Sequence, residues 1–155
     1  MSTTSSSADR PDSDQASLPR AEFGFPGPLR DRLVGAIRDG TKTATTSLAA
    51  EYAAEDAPLP GVGDRSVVVD SDGRPVAVIE VTGVRVVPLG AVDLAHALAE
   101  GNADVAEWRA AHERFWHGDG MRAALGDPGF TVDDTTGVVL ERFRVVADPR
   151  AVPGS

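Results

Sequence analysis

"SVVVDSDGRPVAVIEVTGVRVVPL", residues 66–89, is the stretch on which the fold turns. Two runs rich in β-branched residues flank "SDGR", and Asp72-Gly73 is a strong hairpin signal because glycine adopts the positive φ that tight turns demand. The reading is an antiparallel pair, roughly 66–70 with 75–87. The second run is long and broken by Gly83, and a glycine inside a strand marks a bend or bulge. A sheet that curls at this point is expected to wrap into a barrel.

Upstream, "FGFPGPLRDRLVGAIRDGTK" (residues 23–42) places Leu29, Leu33 and Ile37 at i, i+4 and i+8 between Pro28 and Gly40, a short amphipathic helix with its start and stop signals in place. "TKTATTSLA" then reads as an extended, threonine-rich segment running into a long loop, "EYAAEDAPLPGVGD". Downstream the period changes. "AVDLAHALAEG" reads as a helix ending at Gly101, and "ADVAEWRAAHERFWHG" as a second that buries Val105 and Trp108, with Ala111 and Phe115 on the same stripe. "GDGMRAALGDPGFTVDD" reads as loop and "GVVLERFRVVA" as a closing strand. Strands with helices inserted among them, without a regular βαβ alternation, predict an α+β protein on a small, mostly antiparallel barrel.

The chain of 155 residues is in the range of one domain. It divides into a disordered N-terminal tail over residues 1–20, a single domain over 21–148 and a short C-terminal tail over 149–155. The N-terminal tail holds three aspartates against two arginines, which leaves −8 of the formal −9 on the remainder. So acidic a body argues against coating long RNA or DNA, where cations neutralise phosphates; a small ligand, or a short strand in a local basic cleft, fits better. Cysteine is absent, which removes disulfides, thiolate metal sites and a Cys nucleophile. With no apolar run of membrane length and no signal-peptide core, a cytoplasmic location without membrane attachment is expected.

The motifs narrow the chemistry further. His112 and His117 are five apart, so they do not share a helical face as a zinc-binding pair must, and no metal or cofactor is expected. Phosphate-binding and dinucleotide glycine motifs and the G-x-S-x-G elbow are also missing. Within "GTKTATTS" (residues 40–47) Lys42 is the one lysine against fourteen arginines. It reads either as a cation at a helix C-terminus or as a group that must lose a proton, which arginine does not do. In an extended segment Thr43 and Thr45 point one way while Lys42, Ala44 and Thr46 point the other, so Lys42 meets Thr45 only if the backbone turns between them. Glu100 ends a helix where a carboxylate either is solvated or projects into a cleft. Trp108, Arg109 and His112 lie within five residues on one helix, as core with a polar edge or as a surface for stacking a base.

Over roughly residues 23–146 the chain resembles the ASCH-domain family, whose members share a PUA-like β-barrel. The carriers are "FGF", "DGTKTATTS", "LPGVGDRSVVVDSDGRPVAVIEVTGV", "LAEGNADVAEWRAAHERFW" and "VVLERFRVV". Some bacterial members resemble amidohydrolases acting on N4-acetylcytidine, and others are described as ribonucleases. The resemblance implies a catalytic set of Lys42, Thr45 and Glu100, the glutamate standing one residue from the ungapped position and "EGNAD" carrying Asn102 where an acid is commoner. It further implies Thr45 as nucleophile, Lys42 as base and Glu100 as proton relay, with Thr43, Trp108, Arg109 and His112 binding substrate. The alternatives are an RNA-binding module or a metal-independent ribonuclease, so the expected partner is a small nucleoside-like ligand or short RNA rather than DNA.

Overall fold

The computed structural model describes residues 18–148. The greater part of the expected N-terminal tail and all of the short C-terminal tail lie outside these residues. The end of the expected tail is part of the sheet, for Arg20–Ala21 forms a short strand, β1, pairing in parallel with Val67 and Val68. Next come helix α1 (Pro28–Asp39), strand β2 (Ala44–Leu48), helix α2 (Ala49–Ala54) and strands β3 (Arg65–Val69) and β4 (Pro75–Pro88). Helices α3 (Leu94–Ala99), α4 (Val105–Trp116) and α5 (Asp119–Leu125) follow, and strand β5 (Gly137–Ala147) ends the domain.

The hairpin forms as its sequence predicts. Asp70 accepts the backbone N–H groups of Asp72 and Arg74 at 2.9 Å, and Gly73 takes φ of +80°. The bend also falls where expected: Val81 pairs with Phe143 and Gly83 with Arg142, leaving Thr82 as the extra residue of a bulge. Because β3 meets β4 only along the part before this bend, and β2 meets β5 only along its first half, the sheet divides into two halves. One half packs Val68, Val76, Ile79 and Phe143 with Val34 and Ile37 of α1. The other packs Leu48, Val138 and Leu140 with Trp108, Trp116 and Met121 of the later helices.

The barrel, however, does not close. The strand order is β1-β3-β4-β5-β2, three neighbouring pairs are antiparallel and β1–β3 is parallel, and among the described residues no ladder joins β1 to β2. β1 is only two residues long, too short to serve as a staple between edges, and β2 passes directly into α2. The fold is therefore α+β on an open, curled sheet.

Two expected loops are helical. α2 begins at the last residue of the segment read as extended and takes up the start of the one read as loop, its first turn held by the Glu51 carboxylate accepting the Leu48 N–H at 2.8 Å. α5 lies in "GDGMRAALG", where glycines masked a helix whose Met121 is buried in the core. In α1 the deepest residues are Arg30, Val34 and Ile37, with Leu33 at their edge, so the buried stripe is rotated from the expected one. Arg30 earns its burial by hydrogen-bonding the carbonyls of Phe23 and Gly24 at 3.3 and 2.7 Å, which fixes the entry of the chain into the helix.

Candidate active site

Two local devices bring Lys42 and Glu100 together across 58 residues. Helix α1 stops at Gly40, whose φ of +88° turns the chain while its N–H bonds the Ala36 and Ile37 carbonyls. Helix α3 starts at Asp93, which caps the His96 N–H, and stops at Glu100 followed by Gly101 at φ +95°. There the N–H groups of Gly101 and Asn102 bond the carbonyls of Leu98 and Ala97. The Ala99 carbonyl, one of those a helix end leaves free, accepts the Thr43 N–H at 2.8 Å, and the Thr43 carbonyl accepts the Phe143 N–H at 3.1 Å. The end of α3 is thus strapped through residue 43 to β5, and Glu100 faces the inner side of β2.

On that side Lys42, Ala44, Thr46 and Leu48 alternate inward, all buried. Five side chains converge on the Glu100 carboxylate. Oε1 accepts from Lys42 Nζ at 3.0 Å and lies 3.2 Å from His112 Nε2. Oε2 accepts from the Thr46 hydroxyl at 2.6 Å and the Trp108 indole N–H at 2.8 Å, with His96 Nε2 also at 2.8 Å. His96 Nε2 touches Thr46 Oγ1 too, at 2.8 Å, and Lys42 adds a bond to the Ala44 carbonyl at 2.7 Å. Burial pushes the Glu100 carboxyl up. The Lys42 ammonium beside it and hydrogen bonds from His112 and His96 outweigh that, and hold it well below the usual carboxylate range.

Of the residues singled out in the sequence, Lys42, Glu100, Trp108 and His112 meet in this cluster. Thr43 is exposed on the strap. Thr45 stands on the opposite face of β2, in register with Glu141 of β5. Arg109 forms ion pairs with Glu113 and Asp134, outside the cluster. Two members were missed, Thr46 and His96. Both had signals: Thr46 shares the strand face of Lys42 by period two, and His96 stands one helical turn before Glu100. Lys42 also borders an open depression of about 290 Å³ lined by the end of α1 and Phe143–Val145.

Chemically, the arrangement pairs a hydroxyl with a carboxylate at contact distance and keeps that carboxylate ionised beside an ammonium. Lys42 Nζ donates to Glu100 Oε1 and the Ala44 carbonyl, and the Thr46 hydroxyl donates to the other oxygen of the same carboxylate. Among the described residues no group of three or more His, Cys, Asp or Glu is arranged to hold a metal ion, and no helix is long and apolar enough to cross a membrane.

The open, curled sheet with its inserted helices and buried Lys-Glu-Thr cluster defines a PUA-like α+β domain. Residues 20–147 match the ASCH domain family model, and the chain belongs to that family. It is similar to the ASCH domain from Lactobacillus crispatus JV V101, at 29% identity and a TM-score of 0.72, over 90% of this chain and 87% of that one. It is also similar to a protein from Enterococcus faecalis V583, at 28% identity and a TM-score of 0.73, over 83% and 76% of the two chains. No curated protein matches it.

Proposed function

We propose that this ASCH-domain protein hydrolyses the amide bond of a small N-acylated nucleoside such as N4-acetylcytidine, using Thr46 as nucleophile and Glu100 as its base. One observation carries the reading: the Thr46 hydroxyl donates at 2.6 Å to a buried, ionised carboxylate. A nucleophile within hydrogen-bond reach of a base that other groups orient is the signature of covalent acyl transfer. Glu100 takes the hydroxyl proton as Oγ1 attacks the acyl carbon, and Lys42 offsets the charge that develops in the low-dielectric interior. The acidic chain supports a small neutral substrate over a long polyanion. The nucleoside itself rests on the family resemblance.

The test is hydrolysis of N4-acetylcytidine followed by absorbance, with Thr46→Val, Thr45→Val, Glu100→Gln and Lys42→Arg alongside. Thr46→Val should abolish turnover, Glu100→Gln should cost roughly 10²–10⁴-fold, and Thr45→Val should retain it. Loss in Thr45→Val with turnover kept in Thr46→Val would move the nucleophile to the outer face of β2. No turnover by folded wild-type protein would overturn the hydrolase reading, and cleavage of short RNA by the same preparation would replace it with the ribonuclease one.

A further inference from the structure

The cluster has a nucleophile and a base, and both are shut away from water. Side-chain exposure is 3% for Lys42 and Glu100 and 1% for His96. An amide, however, cleaves only if its leaving nitrogen receives a proton, and the proton taken from Thr46 must eventually be returned. His112 is the cluster member that reaches solvent, at 19% exposure.

We infer that His112 is the proton donor to the leaving amine and the proton port of the site; the inference rests on the hydrolase reading and deepens it. The ring is fixed on every side. Its face stacks on Trp108 with centroids 4.4 Å apart at 26°, and Trp116 packs against it at 5.2 Å. Nδ1 lies 2.8 Å from the Trp108 carbonyl and Nε2 3.2 Å from Glu100 Oε1. Both partners are acceptors, so each ring nitrogen has an acceptor within reach when it carries a proton. Thr46 sits on one oxygen of Glu100 and His112 on the other, so a single carboxylate spaces the nucleophile and the acid. The charged groups near His112 are Glu100, with Lys42 and His96 behind it, and on its own helix Glu113 and Arg109, which pair with each other, Arg109 also pairing with Asp134 on the loop before β5.

The other members are worse placed for this role. Lys42 is committed to Glu100 and the Ala44 carbonyl, the Trp108 indole does not titrate, and His96 is sealed against Thr46 and Glu100. In the first half-reaction the Thr46 oxygen bonds to the acyl carbon, the C–N bond breaks, the Thr46 proton goes to Glu100 and the Nε2 proton of His112 goes to the leaving nitrogen. In the second, neutral His112 takes a proton from water as its oxygen attacks the ester. The bond from Thr46 to the acyl carbon then breaks, Glu100 returns its proton to Thr46, and the carboxylic acid leaves. Each residue ends as it began.

An aryl ester of the same acyl group separates this role from a structural one, because its leaving group departs without a proton. In wild-type protein the burst of acylation by N4-acetylcytidine should fall at alkaline pH, while the burst from the aryl ester should not fall with it. His112→Gln, which mimics Nε2, and His112→Asn, which mimics Nδ1, should cut the amide burst by roughly 10²–10⁴-fold. On the aryl ester both should lose far less than on the amide and still give a stoichiometric burst. Parallel pH profiles for the two substrates in wild-type protein, or equal losses on both in folded variants, would overturn the role of His112 while leaving Thr46 and Glu100 in place. Absence of any N4-acetylcytidine turnover by folded wild-type protein would overturn the hydrolase reading and this inference with it.

Discussion

On the inner face of β2, the Thr46 hydroxyl donates a hydrogen bond to Glu100, a carboxylate surrounded by five side chains and held ionised. On the outer face, one residue away, Thr45 stands in register with Glu141, whose carboxyl is pushed up by burial against a modest lowering from the Tyr52 hydroxyl 3.5 Å away. Glu51 is also raised by burial, and Tyr52 is pushed up to about 12, first by burial and then by the acids around it. Both faces combine threonine with carboxylates. They differ in that the inner carboxylate has an ammonium and a set of N–H donors aimed at it. The partners, supplied from elements far away in sequence, decide whether a strand threonine is placed for chemistry.

The largest test of that difference is to break the inner ion pair. Lys42→Met should destabilise the domain by about 3–5 kcal/mol, because it leaves a buried carboxylate without its cation. Adding Glu100→Gln to it should cost less than the sum of the two single changes, as urea unfolding of all three variants would show. Additive costs would mean that the pair is not coupled as its 3.0 Å contact indicates.

Acid should sharpen the contrast. The folded Glu100 carboxyl lies well below its ordinary value of 4.5, so its contribution is fully present above about that pH and is lost as pH falls through the folded value. Glu141 and Glu51 are raised, so their contributions run the other way and decline as pH rises from 4.5 through their folded values. Unfolding midpoints measured from pH 2 to 7 should therefore show an acid loss in wild-type protein that Glu100→Gln flattens. A loss that persists unchanged in that variant would place its origin elsewhere.

Smaller effects separate the two threonines. Thr46→Val keeps the shape but removes the donor from Oε2 and a polar partner from His96, for a cost of about 1–3 kcal/mol. Thr45→Val should stay within about 0.5 kcal/mol, since β-branched residues suit a strand. Smallest of all, Glu141→Gln should change stability at neutral pH by less than about 1 kcal/mol, and in the favourable direction, because an acid that prefers to be protonated in the fold is replaced by a neutral group. A clear loss on Glu141→Gln would show that the outer carboxylate is held by contacts as strong as the inner one.

Much of this was readable from local pattern. The hairpin, the bulge beside Gly83, the span of β5 and the glycine stops of α1 and α3 all follow from turn chemistry and from side-chain periods of two and 3.6. What escaped was short or disguised: β1 has two residues, α2 follows a strand without a break, and α5 carries a glycine in its first turn, where Phe25 approaches closely enough that a Cβ on Gly120 would lie 2.8 Å from its ring. At the site, the strand period already separated Lys42 from Thr45 and put Thr46 on the side of Lys42, whereas the family resemblance names Thr45.

The sequence by itself determined which faces exist: which threonines share a side with Lys42, and that Glu100 ends a helix with His96 one turn behind it. These are properties of backbone geometry over a few residues. Only the tertiary structure decided what faces them. It left the sheet open and strapped the end of α3 to the lead of β2 through the Ala99 carbonyl. It also packed Trp108 and His112 of α4 over the same carboxylate. An ionised carboxylate is tolerable in the interior only when enough donors converge on it, and that convergence is set by long-range packing that no local pattern encodes.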